Sequence, residues 1–319
     1  MQANMGMSGE FRCVVKRADG STKIDTGYQK NLILNQGLDF FGGSNGSDMM
    51  AYCIIGRGNS QPSYTQNKLD TAVSGVSGTE YSTKSDYNAS TDGNLYKTNR
   101  VCKYSFTGLK NINISEVGLA STYSNTSDYY LCTRALIKDS QGNPTTITVL
   151  SGEVLEIYYK LWAVYDTTDK TGQINILDGV GGSIAYNYTC RLARVGNVET
   201  YIGRSGYSGP GSTLGGSYTG GYTQWFYRGE IQGITSEPLN SIDRLNFSQS
   251  AYTLGSYKAI ISISANINGS IRSILVNTTL GTYQIRFGAV ADDRPIVKNN
   301  TQTLTIPIEV SWGRYEGAL

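Results

Sequence analysis

The sequence of 319 residues contains no histidine. That absence excludes Ser-His-Asp and Cys-His nucleophiles, imidazole metal ligands and histidine acid–base catalysis. Charge is scarce as well: Asp, Glu, Lys and Arg make up 16% of the chain, against roughly a quarter in an average soluble domain. The net charge of +2 supplies no field that would gather nucleic acid or an anionic membrane, so no nucleic-acid partner is expected. There is no run of 18 apolar residues, and residues 1–10 carry neither a charged nor an apolar leader region. The expectation is therefore no membrane insertion and no export by a recognisable signal. The five cysteines, Cys13, Cys53, Cys102, Cys132 and Cys190, are odd in number and form no CxxC pair. Neither a zinc site nor a disulfide framework is legible. They are expected to pack as small apolar residues in a chain made in a reducing cytoplasm. No repeat of constant period is found, which disfavours a solenoid or propeller.

What is present in quantity is Gly (38) and Tyr (24), with many Ser, Thr and Asn. Gly and Asn make turns, and Thr and Tyr suit half-buried pleated surfaces. The composition is that of an extracellular or virion β-protein. Glu10–Arg17, the turn Ala18-Asp19-Gly20-Ser21 and Thr22–Asp25 read as a hairpin. Apolar residues crowd too densely in Asn31–Phe41 for a plain strand, and Gly42-Gly43 ends the run, so a short helix is expected there. Tyr52–Ile55 reads as a strand, Thr65–Val73 as one or two turns, and residues 74–94 as an exposed loop. Alternation is clear in Tyr96–Leu109, Ile114–Ala120, Tyr129–Lys138 and Leu155–Tyr165, which together suggest a four-strand meander. Tyr257–Ile267, Asn268-Gly269 and Ile271–Val276 give the strongest hairpin signal. Tyr283, Ile285, Phe287 and Ala289 alternate again. The last strand, Thr303–Trp312, contains Pro307, which makes it an edge strand or leaves its free side at that proline. The fold class is thus all-β: antiparallel β-sandwich units, one short helix near the N-terminus and a Gly/Tyr-rich insertion. The expected domains are 1–198 and 224–319, joined by the Gly/Ser/Tyr-rich linker or loop 199–223.

With imidazole excluded, carboxylate chemistry of the glycosidase kind remains. The candidates are Asp292-Asp293 beside Arg294, and Glu153 with Glu156. For both pairs the structural reading is preferred: Asp292 and Asp293 as turn residues, and Glu156 as the exposed partner of Lys160. Gly203–Gly221 has GxG-like spacings but lacks the P-loop lysine. Gly56-Arg57-Gly58-Asn59 reads as a tight turn. Asp86 and Asp92 with Asn88 and Asn94 match no EF-hand loop, so no metal or other cofactor and no catalytic residue is assigned. Tyr207, Tyr218, Tyr222 and Trp225 are the candidate binding residues, because flat amphipathic rings on a Gly/Ser backbone offer contact area at low entropic cost. A core role for Trp225 and Phe226 is the favoured alternative, and the tyrosines are left open between the two roles.

Several phrases resemble a family of tailed-bacteriophage tail fibre and minor tail or collar structural proteins. They are NLILNQGLD over 31–39, YCIIGRGN over 52–59, ISEVGL over 114–119, RALIKDSQGNPTTITV over 134–149 and VSWGRY over 310–315. The resemblance covers most of residues 10–165 and roughly the last 60, and it omits 199–223. It implies a non-enzymatic, β-rich virion component that assembles with other tail or neck proteins; the unpaired cysteines add the expectation of synthesis in the host cytoplasm, and charge-poor, Tyr-rich faces that of a homo-oligomer. The resemblance supplies no functional residues. A receptor-binding module that contacts host surface glycan is the alternative reading.

Overall fold

Alternation along the first strand decides where the core begins. In Gln2–Lys16, Ala3, Met5, Met7, Phe11, Cys13 and Val15 are buried along one face. In a pleated strand successive side chains point to opposite faces, so this spacing turns one side inward. The strand Val154–Asp166 repeats the pattern: Leu155, Ile157, Tyr159, Leu161, Ala163 and Tyr165 are all buried. These two strands pair antiparallel from Gly6–Val164 to Lys16–Val154. Val154–Asp166 pairs on its other side with Leu95–Phe106 over twelve residues of each. This three-strand centre belongs to the computed structural model, which describes residues 1–43, 45–80, 90–195, 202, 225–244, 246–265, 267–299 and 302–319.

The architecture is all-β, with the strands gathered in several antiparallel sheets. The largest sheet runs from Asn246–Gln249 through Lys258–Ala265 and Leu304–Arg314 to the first strand. It continues through Gln29–Ile33, Thr133–Leu136, Glu116–Tyr123 and Tyr52–Gly56 to Ala72–Ser77. A second sheet is ordered Lys170–Leu177, Ser183–Ala193, Gly281–Ala289, Ser273–Thr278, Trp225–Tyr227, Ser241–Arg244. Both sheets feed one hydrophobic cluster, which joins Met5, Phe11 and Tyr159 to Cys190, Ile285 and Val310. All five cysteines are buried and free. Among the described residues, no helix is long and apolar enough to cross a membrane.

Several sequence expectations change in the structure. The short helix exists, but only over Asn35–Asp39; the preceding residues form the strand Gln29–Ile33. Within residues 74–94, expected as loop, 74–77 belong to the strand Ala72–Ser77 paired with Tyr52–Gly56, Thr79–Glu80 and Ser90–Asp92 pair with Leu95–Phe106, and residues 81–89 lie outside the described residues. The four-strand meander forms only in its middle, where Glu116–Tyr123 pairs with Tyr129–Leu131 and Thr133–Leu136; Leu95–Phe106 lies beside Val154–Asp166, and the other neighbour of Glu116–Tyr123 is Tyr52–Gly56. The hairpin expected across Asn268-Gly269 is absent too: Lys258–Ala265 pairs with the last strand, and Ser273–Thr278 turns into the second sheet. The last strand is interior, flanked by Lys258–Ala265 and, in parallel, by the first strand. Its proline is still at a free side. Glu309 donates its N–H to the Met1 carbonyl. Pro307, two residues earlier, turns its nitrogen the same way but lies outside the first-strand ladder, which starts at Gln2–Glu309. Both sheets mix strands from either side of residues 199–223, so strand pairing does not divide the chain at that point.

Candidate functional site

The densest polar arrangement is buried. Glu116, on Glu116–Tyr123, and Arg134, on Thr133–Leu136, are both fully buried and lie 2.9 Å apart. Glu116 Oε1 accepts the backbone N–H groups of Gly58 at 2.7 Å and Thr71 at 3.0 Å, and Oε2 accepts that of Asp70 at 3.2 Å. The Arg134 guanidinium also reaches Asp70 at 2.8 Å and donates to Ser60 Oγ at 3.1 Å. A buried carboxylate survives only when paired and hydrogen-bonded, and here four donors converge on it. Glycine at 58 is a packing requirement: a Cβ there would meet Glu116 Oε1 at 2.4 Å. Gly56 ends the strand Tyr52–Gly56 and residues 57–59 form no turn, so GRGN is a close approach to a carboxylate, and the tight-turn reading is corrected. Sequence reasoning passed over Glu116 and Arg134. The only available signal was that charged residues stand inside otherwise apolar strand patterns, in the very phrases that carry the resemblance.

The four carboxylates weighed for glycosidase chemistry are each beside a cation. Glu153 accepts from Lys23 at 2.8 Å, and that hydrogen bond lowers its pKa. Glu156 pairs with Lys103 at 2.5 Å, which replaces the expected Lys160, and it accepts from the Tyr158 hydroxyl. Burial pushes the Glu156 pKa up, but Lys103 and Tyr158 outweigh it and the net shift is downward. Asp292 and Asp293 sit in a turn, as expected, with Asp293 at φ 57°. Asp293 shares Arg272 and Arg286 with Glu230, and the Arg286 contact at 2.5 Å lowers its pKa. A general acid needs a raised pKa; these three shifts run the other way.

Of the candidate binding residues, Tyr207, Tyr218 and Tyr222 lie outside the described residues. Trp225 is half-buried in Trp225–Tyr227, packed against the cluster of Ala193, Tyr227 and Leu275, while Phe226 is fully buried on the opposite face. The core reading therefore holds for Phe226, and the structure does not present Trp225 as a free ring. Asp86 and Asn88 also lie outside the described residues. Among those described, no three Cys, Asp or Glu side chains are grouped to hold a metal.

A polar cleft of about 620 Å3 opens where the start of the first strand faces the second sheet; its wall includes Asn4, Asp166, Asp169, Lys170, Cys190 and Tyr283. Its ionisable groups are committed. Asp169 takes a bidentate hydrogen bond from Arg191, at 2.7 and 2.6 Å, and Asp166 is paired with Lys170. Burial raises the Asp166 pKa, but bonding from Lys170 and Thr168 turns the net shift downward. Burial pushes the Cys190 thiol up to about 12, which leaves no thiolate at neutral pH. Burial also raises the Tyr283 phenol, whose hydroxyl donates to the Asn4 carbonyl at 3.1 Å. The cleft offers hydrogen-bonding surface among these paired groups.

Comparison with protein-family models, with curated proteins and with solved structures finds no match to this chain.

Proposed function

We propose that the chain is a non-enzymatic structural component of a bacteriophage tail apparatus, a fibre, collar or adaptor, that assembles in the virion with other tail or neck proteins and with its own copies. The observation that carries this reading is the meeting of three phrases of the family resemblance in one buried cluster. YCIIGRGN supplies Gly58, ISEVGL supplies Glu116 and RALIKD supplies Arg134, and all three are bonded through the Glu116 carboxylate. Buried and bonded to one another, these residues brace the fold and offer no surface chemistry. The downward pKa shifts of Glu153, Glu156 and Asp293 support the same reading, since a general acid needs a shift in the opposite direction. A chain poor in charge and rich in tyrosine suits permanent packing against neighbours.

The test is a phage whose copy of this chain lacks residues 203–222. Failure of particle assembly is the expected result. Intact particles that no longer adsorb to host cells would replace the scaffold with the host-glycan receptor. Reducing sugar released from host capsule or lipopolysaccharide, and lost on substituting a single carboxylate, would overturn the non-enzymatic reading.

A further inference from the structure

Lys170–Leu177 forms one edge of the second sheet, and among the described residues it pairs only with Ser183–Ala193. Exposed strand edges are normally kept short, bulged or interrupted by proline and charge, because unpaired N–H and C=O groups recruit another strand. The other sheet termini follow that rule: Ser241–Arg244 and Asn246–Gln249 have four residues each, and the pairing of Ala72–Ser77 is broken by a register shift. Lys170–Leu177 has eight residues in unbroken register, no proline and a single charge, at its end. It is the least protected edge described.

Backbone geometry shows which of its groups face outward. Asp178 donates its N–H toward Gly182 across the hairpin, and Val290 N–H bonds Ala185 O on the far side of Ser183–Ala193. Groups of alternate residues point to opposite sides of a strand. Lys170, Gly172, Ile174 and Ile176 therefore face the neighbouring strand, and Thr171, Gln173, Asn175 and Leu177 face the free edge. We infer that this edge is a self-complementary docking surface that takes the same edge of a second copy of the chain, antiparallel, about a two-fold axis at Ile174. Only that register engages all four outward residues, Thr171 with Leu177 and Gln173 with Asn175, each twice. The same register sets Lys170 opposite the second copy's Asp178 at both ends, whereas a parallel alignment would bring lysine beside lysine. Opposite charges facing each other across strands are favourable and like charges are not. The turn that follows carries Val180, 90% exposed, after Leu177, 81% exposed. Continuing the pairing lays this turn beside Asp166–Lys170 of the other copy, at the mouth of the polar cleft. An isologous contact of this kind closes as a dimer and does not extend into a fibre.

The surface deepens the assembly reading, but it is tested on the purified full-length chain, so failure here would leave the virion proposal to its own experiment. At the two-fold axis the Ile174 Cα atoms of the two copies would lie about 4.5 Å apart, inside the ~4.4–6.8 Å span that a disulfide bridges. The native cysteines are all buried, so an introduced thiol reports alone. Ile174→Cys is expected to give a covalent dimer under mild oxidation, at least about tenfold more than Gln173→Cys, whose partner in this register is Asn175. Thr171→Cys combined with Leu177→Cys is expected to cross-link as well, at two exposed positions too far apart along one strand to bond within a chain. Asn175→Pro removes only an outward N–H and is expected to abolish dimerisation in sedimentation velocity while strand content is retained. Cross-linking of Gln173→Cys equal to that of Ile174→Cys, undiminished association of Asn175→Pro, or a monomeric parent chain at all concentrations would overturn the inference.

Discussion

At the residue scale the chain concentrates its electrostatics in a few committed pairs. Removing one member of a buried pair leaves the other charged and unsolvated, which costs about 3–5 kcal/mol. Glu116→Ala and Arg134→Met are each expected to lower the free energy of unfolding by that order, measured by chemical denaturation. Glu116→Ala combined with Arg134→Met should cost less than the sum of the two singles. Other ion pairs act through pH. The Arg12 hydrogen bond holds the Asp25 carboxyl at about 2, below its ordinary 3.8, and Glu153 and Asp293 are lowered by Lys23 and Arg286. Carboxyls with a depressed folded pKa add stability that is present above the unfolded pKa and lost as pH falls through the folded one. Stability is therefore expected to fall between about pH 4 and pH 2, and Asp25→Asn should flatten that part of an acid-unfolding curve. The alternation that placed Leu155, Ile157 and Tyr159 in the core was legible. The role of Gly58 was not, because a close approach between residues 58 apart leaves no local pattern.

At the scale of elements, turn signals decide some hairpins and not others: Ala18-Asp19-Gly20-Ser21 joins Gln2–Lys16 to Thr22–Asp25, as expected. Asn268-Gly269 looked the best turn, yet the tight hairpin joins Ser273–Thr278 to Gly281–Ala289 through Thr279-Leu280. Its turn is closed by Thr278 Oγ1, which accepts the Leu280 N–H and donates to the Gly281 carbonyl. Gly281 sits at φ 125°, a conformation that L side chains rarely adopt, and a Cβ there would meet the Tyr165 ring at 2.9 Å. Gly281→Ala is expected to destabilise the fold by about 1–3 kcal/mol, with early loss of amide protection in the two joined strands as the check by hydrogen exchange. Short local motifs propose turns, but the partner of each strand is chosen by the burial it completes. Lys258–Ala265 completes more against Leu304–Arg314, where Ile261 faces Ile308 and Ile263 faces Ile306, than it would against its sequence neighbour. The pair Lys170–Leu177 and Ser183–Ala193 went unread for a related reason: its outer strand is exposed or half-buried along its whole length, and its hydrophobic period is weak.

At the scale of the whole molecule the two chain halves are interleaved. Leu304–Arg314 lies between the first strand and Lys258–Ala265, and Ser183–Ala193 lies against Gly281–Ala289. Fragments 1–198 and 224–319, expressed apart, are each expected to lack a cooperative unfolding transition, because each leaves sheet interiors unpaired; mixing them should restore one, as read by circular dichroism. The sequence by itself determined the all-β class, the main core strands and the exclusion of histidine chemistry, since these follow from residue type and from a period of two along single strands. Which strands adjoin, which carboxylates are paired with cations and which edge stays open were decided only by tertiary structure. Those properties depend on residues tens to hundreds of positions apart, and composition and local alternation carry no record of that distance.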